Sequence, residues 1–373
     1  MVKQDPFGAD PGAWLRRNTP DAPVFFFRPA TLQATAQRFL RGFPGAVTYA
    51  VKANPAPCVL DNLVAAGLRT FDVASVPEMQ AVRAACPDAA LHFHNPVRSR
   101  AEIAEGLRLG VQSWSVDRLS ELDKLAALPP GSEIAVRLKL PVPGAAYDFG
   151  AKFGAEPEAA AALLQAVADR GLTPSMTFHP GTQCDAPDVW ERYIAACAGI
   201  AARAGVRVHR LNTGGGFAAH RGTGPAPDLE TVFARIDASA KAAFAGDPPP
   251  LVCEPGRAMV AEAFCLALRV KAAEPGRITL NDGLYGALGE WRDLPAGGRI
   301  AVLDPAGKTR TGPAHPVRVF GPTCDSLDQL PASLPLPADL AEEDWLLIDG
   351  MGAYSGALVT DFNGFGARRI VTL

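Results

Sequence analysis

Four features of this chain could do chemistry together: a lysine closing an apolar run, a histidine, a triple glycine and a glutamate. Lys52 sits in Val47-Thr48-Tyr49-Ala50-Val51-Lys52-Ala53-Asn54-Pro55. Read as a strand, the run places Thr48, Ala50 and Lys52 on one face and Val47, Tyr49 and Val51 on the other. A cation leaving a buried strand must be paired, reach water or lose its charge. A desolvated lysine with a lowered pKa is the amine that forms a Schiff base. Alone, the segment reads better as a lysine reaching solvent at a strand end, so the rest of the chain must decide.

Asn212-Thr213-Gly214-Gly215-Gly216-Phe217 lets consecutive backbone N–H groups converge on an anion. Glu254-Pro255-Gly256-Arg257 offers a second anion-binding turn with a cation. Together the two favour a phosphate, although a carboxylate at Glu254 is an odd neighbour for one. It fits if the ligand carries a nitrogen that must stay protonated. Pyridoxal phosphate has the three handles required: an aldehyde for Lys52, a ring nitrogen for Glu254 and a phosphate for the glycines. Glu254 also suits a structural ion pair with Arg137 or Arg257. His179, in Thr177-Phe178-His179-Pro180-Gly181-Thr182, suits a flat ring stacked on a flat cofactor. His92 and His94 form an HxH pair of the kind found in barrel metal hydrolases, but no further histidine completes that pattern, so no metal is expected. Cys324 lies beside Asp325 in a glycine- and proline-containing turn, which is not the setting of an inert core thiol.

These residues need a scaffold. Eight strand-like runs separated by Ala/Leu-rich helical stretches occupy Thr48–Ala53, Thr70–Ser75, Leu91–Asn95, Ser113–Asp117, Glu133–Leu140, Ser175–Pro180, Val208–Gly214 and Pro249–Glu254. That alternation predicts a (β/α)8 barrel. Polar residues fall at the run ends (Lys52, Asp72, Asn95, Asp117, His179, Gly214 to Gly216, Glu254), where barrel enzymes build their sites. An open doubly wound sheet would place its glycine-rich turn after the first strand, not the seventh. Beyond residue 265 the rhythm changes to strands and turns, with a hairpin turn at Asp304-Pro305-Ala306-Gly307 and a loop at Leu330–Pro337. Ala22–Arg28 reads as a strand belonging to that β domain. The expected division is a barrel over 28–262 and a β domain from 1–27 with 263–373. The 373 residues, 48% hydrophobic, are enough for both. A net charge of −3 gives no reason to expect nucleic-acid or membrane binding. No apolar run is long enough to span a bilayer. Seven scattered cysteines, never spaced as CxxC, argue against a disulfide framework and for reduced thiols in the cytoplasm.

The motifs resemble those of the fold-type III pyridoxal-phosphate decarboxylases of basic amino acids, most closely ornithine decarboxylases. They are Tyr49-Ala50-Val51-Lys52-Ala53-Asn54, Phe71-Asp72-Val73-Ala74-Ser75, Phe178-His179-Pro180-Gly181-Thr182, Gly214-Gly215-Gly216-Phe217, Glu254-Pro255-Gly256-Arg257, Asn281-Asp282-Gly283-Leu284-Tyr285-Gly286, Gly321-Pro322-Thr323-Cys324-Asp325 and Gly352-Ala353-Tyr354 with Phe362-Asn363-Gly364. They stand in family order from residue 49 to 365. The resemblance implies that Lys52 holds the cofactor as an imine with Asp72 nearby. It implies that His179 stacks on the ring and that Glu254, supported by Arg137, pairs with the ring nitrogen. Thr182, Gly214, Gly215, Gly216, Gly256, Arg257 and Tyr354 would bind phosphate. Cys324 would protonate the carbanionic carbon and Asp325 would hold the distal amine, both reaching into the partner subunit's site of a homodimer. Tyr285 would join the substrate contacts. Two departures stand out: Pro180 and Thr182 replace a usual valine and serine, and Gly286 to Leu294 lacks the usual tyrosine–aspartate pair, leaving Asp293 or Glu290 as the second acid. The implied reaction is decarboxylation of L-ornithine to putrescine. Lysine, arginine and diaminopimelate decarboxylases, or a non-catalytic decarboxylase-like regulator, are the alternatives. Asp325 argues against diaminopimelate, whose enzymes usually carry glutamate after the cysteine.

Overall fold

The computed structural model describes residues 10–141 and 152–373. The chain forms two compact units. One comprises Gln33–Ala218 with Pro227–Met259; the other comprises residues up to Leu32, Ala219–Ala226 and Val260–Leu373.

Strand β1 (Val24–Phe27) belongs to the second unit, and the next nine strands build the first. They are β2 (Gly45–Val47), β3 (Tyr49–Ala50), β4 (Thr70–Val73), β5 (Ala90–Phe93), β6 (Val111–Val116), β7 (Glu133–Leu138), β8 (Thr173–Phe178), β9 (Leu211–Asn212) and β10 (Leu251–Cys253). All pairings are parallel, in the order β2-β10-β9-β8-β7-β6-β5-β4-β3. The two ends of that order are consecutive pieces of one strand, separated by Thr48 alone. The Thr48 N–H donates to Cys253 O at 2.8 Å and the Ala50 N–H to Pro255 O at 3.2 Å, so the sheet closes on itself. This is the expected eight-stranded barrel with helices between its strands. Its outward residues are apolar and buried, among them Phe71, Val73, Phe93, Trp114, Ile134 and Met176, as parallel strands covered by helices require. The helices carry their own stop signals. Ser99 and Glu102 make a capping box at Arg100–Arg108, and Gly205, at φ 63°, ends Asp188–Ala204.

One strand ends earlier than its alternation implies. Val51–Ala53, expected to continue the first strand, is a 3-10 turn. Pro55 lies just beyond it, the Asn54 N–H folds back to Val51 O at 3.0 Å, and the buried Tyr49 hydroxyl donates to Asn54 O at 3.0 Å. Lys52 is therefore carried on a turn and is exposed, not desolvated on a strand face.

The second unit packs β1 between β11 (Phe264–Glu274), antiparallel, and β17 (Arg369–Thr372), parallel. The sheet continues through β12 (Arg277–Leu280), β13 (Ile300–Leu303), β14 (Ala314–Phe320), β15 (Leu334–Pro337) and β16 (Trp345–Asp349), in the order β13-β16-β11-β12-β14-β15. The N-terminal phenylalanine strand thus takes its expected place, with Phe26 in a core beside Trp14, Cys265 and Trp345. The hairpin turn at Asp304 also forms, closed by Gly307 N–H to Asp304 O at 2.8 Å. Leu334–Pro337, expected within a loop, is instead a strand paired, among the described residues, only with β14. Its prolines are tolerated because an edge strand can leave its missing N–H groups facing away from the ladder.

The closing seam makes a specific demand. A Cβ on Gly45 would run into the Leu251 carbonyl of β10. Gly45→Ala should lower stability by about 1–3 kcal/mol in urea unfolding; a neutral result would mean that the seam yields without cost.

Candidate active site

The C-terminal ends of the barrel strands surround a cavity of about 170 Å³. Lys52 enters from the turn after β3, Asp72 from β4, Arg137 from β7, and His94, His179 and Glu254 from the positions just past β5, β8 and β10. A larger groove of about 970 Å³ lies at the opposite end, along the starts of β8 and β10. It offers Arg207, His209 and Asp247 but no primary amine among its described lining residues. The chemistry converges on the smaller cavity.

Two carboxylates share that cavity and are held differently. Glu254 Oε1 lies 2.6 Å from His94 Nδ1 and accepts from Asn212 Nδ2 at 2.5 Å. Glu254 thus pairs with His94, a partner the sequence reading did not weigh beside Arg137 and Arg257. Burial alone raises the Glu254 carboxyl, but the charge and hydrogen bond of His94, with Lys52 and Asn212, hold it well below the usual range. Burial in turn pushes the His94 imidazole down, and Glu254 more than reverses this, so its pKa is raised. Asp72 goes the other way: burial, then the Glu254 charge, push its carboxyl up against the pull of Lys52. Its buried Oδ1 has no hydrogen-bond partner among the described residues. Asp72, His94 and Glu254 also bring three potential metal-ligand atoms within 4.8 Å of one another. His92 does not join them; it faces Glu133, Ser175 and Arg210 deeper in the barrel.

The glycine run approaches backbone too closely for any side chain. A Cβ on Gly214 or Gly216 would strike the Phe178 or Gly181 carbonyl, and both have positive φ; on Gly215 it would lie 2.6 Å from Glu254 O. Arg257 Nη2 stands 3.5 Å from Thr182 Oγ1, at the long limit of a hydrogen bond. His179 Nδ1 accepts the Gly181 N–H at 3.1 Å, and burial with the Lys52 and Arg137 charges pushes its pKa down to about 3. His179 is thus a neutral ring. Arg137 lies over Phe153, 5.3 Å from the ring centroid.

The other expected residues lie in the second unit. Tyr285 donates its hydroxyl to Asp325, which holds that carboxyl below its usual range. Cys324 is exposed, with its N–H and Sγ 3.2 and 3.3 Å from Asn363 Oδ1. Asp293 pairs with the adjacent Arg292 at 3.1 Å, and Glu290 lies 4.0 Å from Arg221. Tyr354 has left-handed backbone, φ 63°.

Residues 30–261 match the family model described as pyridoxal-dependent decarboxylase, pyridoxal binding domain. The chain belongs to the pyridoxal-dependent decarboxylases. An ornithine decarboxylase, chloroplastic, of Nicotiana glutinosa is 34% identical over 343 residues, covering 87% of this chain and 77% of that one. A lysine/ornithine decarboxylase of Selenomonas ruminantium is 31% identical, covering 86% and 81%. A Vibrio vulnificus lysine/ornithine decarboxylase, solved as a complex with cadaverine, superposes with a TM-score of 0.82 at 26% identity, covering 97% of this chain and 96% of that one.

The residues of this decarboxylase fit its cofactor. The cavity presents one primary amine among its described lining residues, an ionised carboxylate and a neutral flat imidazole, and the Gly215 backbone passes against Glu254 and His179. Sequence reasoning missed His94 and Asn212 as partners of Glu254. The available signal was their place at strand ends, and the HxH spacing directed attention to metals instead. It also missed the contact between Cys324 and Asn363, although a left-handed asparagine followed by glycine marks a built turn.

The buried imidazoles make acid stability testable. His92 is pushed down to about 3 by burial, then by the His94 and Arg210 charges. The unfolded chain takes up that proton near pH 6.5, the folded chain only near 3. Stability is therefore present above about 6.5 and is lost as pH falls toward 3. In His92→Gln the unfolding free energy of the cofactor-free protein should fall with pH less steeply across that window, by up to about 1.4 kcal/mol per pH unit. An unchanged slope in urea titrations would place the acid sensitivity elsewhere.

Proposed function

We propose that this decarboxylase converts L-ornithine to putrescine and CO2, as a homodimer with shared sites. The observation that carries the reading is the cavity in which Lys52, Glu254 and His179 meet beside the Gly214 to Gly216 backbone. When bound, pyridoxal phosphate supplies an electron-poor ring that takes up the electron pair left by the departing carboxylate. The protein's part is to hold and orient. Lys52 is the amine that ties the aldehyde, with Asp72 as its carboxylate neighbour. Glu254, supported by Arg137, keeps the ring nitrogen protonated, and the neutral His179 ring stacks without adding charge. Thr182, the three glycines, Gly256, Arg257 and Tyr354 form the phosphate-binding set.

Asp325 supports a substrate with a distal ammonium, since its carboxylate is kept ionised by the Tyr285 hydroxyl and the Leu327 N–H. Asp293 is the candidate second acid and would have to exchange Arg292 for the amine. Cys324 is the proton donor to carbon. Three of the six large hydrophobic side chains exposed among the described residues, Leu327, Leu358 and Phe362, come from the loops around this cluster. Such a patch suits a surface that a second subunit covers. The cytoplasm is the compartment in which its exposed thiol would stay reduced.

Carbon dioxide release from L- and D-ornithine, L-lysine, L-arginine and diaminopimelate tests the substrate. L-ornithine should give the highest kcat/KM; a larger value for any of the others would displace it. Lys52→Ala should abolish the borohydride-reducible visible band, and retention of that band at wild-type level would remove Lys52 from its role. Glu254→Gln should keep the cofactor but lower kcat by about two decades, each about 1.4 kcal/mol of barrier.

Subunit mixing tests the shared site. Lys52→Ala and Cys324→Ala homodimers should each be nearly inactive. After complete exchange half of the dimers are mixed, each with one intact site, so about a quarter of wild-type activity should return. No recovery after verified exchange would put both residues in the same subunit's site.

A further inference from the structure

We infer that His94 is a positioning residue for the cofactor's ring nitrogen, anchoring one oxygen of Glu254 so that the other is offered to the cavity in a single orientation. The inference rests on the proposed role of Glu254. It goes further in assigning a task to a histidine that contributes to neither the amine nor the phosphate end of the site.

The hydrogen bonds fix the orientation. The Gly214 N–H donates to Asn212 Oδ1 at 2.9 Å, which settles that amide and turns its Nδ2 toward Glu254. Asn212 Nδ2 also lies 3.1 Å from His94 Nδ1. Two donors do not bond each other, so a proton on Nδ1 is directed to Glu254 Oε1, 2.6 Å away. On the far side of the ring, Nε2 lies 3.0 Å from Ser113 Oγ. His92 stacks against the imidazole, centroids 5.4 Å apart and planes at 24°. All four members, Glu254, His94, Asn212 and Ser113, are buried. Both donors to Glu254 converge on Oε1, leaving Oε2 as the oxygen for a ligand nitrogen.

The arrangement matters because Asp72 is close by. With potential ligand atoms of Asp72, His94 and Glu254 all within 4.8 Å of one another, the two carboxylates could share a proton if nothing favoured one of them. A Glu254 that shares its proton is a weaker partner for a pyridinium. The Nδ1–H contact of His94 biases the pair: Glu254 keeps its charge, and the proton goes to Asp72.

The geometry separates two conservative replacements. An asparagine amide nitrogen can occupy the place of Nδ1, whereas a glutamine amide reaches the place of Nε2, toward Ser113. The test is the protonation of the ring nitrogen itself, followed by NMR in protein reconstituted with cofactor labelled with 15N in the ring. In His94→Ala the ring nitrogen should lose its proton at a pH lower by about one unit or more, a tenfold change in ionisation. His94→Asn should restore the wild-type titration and His94→Gln should resemble alanine. If His94→Ala fails to fold, the asparagine and glutamine variants decide alone. A wild-type titration in His94→Ala, or a glutamine variant better than asparagine, overturns the inference. Glu254→Gln is the control on the underlying reading: if it leaves the ring-nitrogen titration unchanged, the role proposed for Glu254 fails and the inference falls with it.

Discussion

Two carboxylates in one buried barrel mouth cannot both be comfortable anions, and the way this chain separates them shapes the site. Removing one partner of a buried ion pair costs about 3–5 kcal/mol, because an uncompensated charge stays behind. Glu254 avoids that cost with a histidine and an amide on the same oxygen. Asp72 has one buried oxygen without a hydrogen bond among the described residues and is pushed toward its protonated form. One acid becomes a fixed negative charge and the other can hold or release a proton. The Lys52 charge favours the ionised form of both, from a turn and not from a strand face. The Lys52 amine therefore shares its cavity with two acids of different character.

The layer beneath supports that division. Barrel interiors are commonly filled by branched apolar side chains, but here the inward positions of β7 and β8 bring Glu133 and Ser175 together with Arg210 and His92. Arg210 pairs with Glu133, and Ser175 donates to it at 2.6 Å. His92 and His94, two residues apart on one strand face, end with opposite shifts. His94 has a carboxylate against its ring, whereas His92 is buried near the Arg210 and His94 charges. Their stacked rings join the lower layer to the upper one. Polar filling of this kind gives up some apolar burial in exchange for a defined orientation at Glu254.

How much was legible in the sequence follows from which interactions are local. The barrel was legible because each strand–helix unit carries its own apolar pattern, and the polar residues at strand ends could be counted. The glycine run was legible because close backbone contact tolerates nothing else. The setting of Lys52 was misread in part, since alternation was extended through a segment that the Tyr49 hydroxyl and the following prolines turn into a 3-10 bend. The strand Leu334–Pro337 was hidden by its prolines, which read as a loop unless the strand is known to lie at a sheet edge. His94 was hidden because its partner Glu254 lies 160 residues away. No local pattern reports a pairing of that range.

The second unit solves a different problem, holding a thiol and an acid on exposed loops without a strand to carry them. Asp328 accepts from the Leu284 N–H at 2.8 Å and from the Thr323 N–H and hydroxyl at 3.2 and 2.8 Å. It thereby ties the loop bearing Tyr285 to the turn bearing Cys324 and Asp325. Asp282 collects the N–H groups of Gly283, Ala287 and Ala367 at 2.9, 3.0 and 3.2 Å. Burial still pushes its pKa up to about 6 against those three donors. The glycines of the same motifs are then explained by geometry. A Cβ at Gly283 or Gly321 would collide with the Asp328 carboxylate, and one at Gly286 with Asp282. Each buried aspartate thus replaces a missing strand ladder with a cluster of backbone bonds, and glycine is required wherever the loop passes close to it. The placement of Tyr285, Cys324 and Asp325 depends on two buried carboxylates, Asp282 and Asp328.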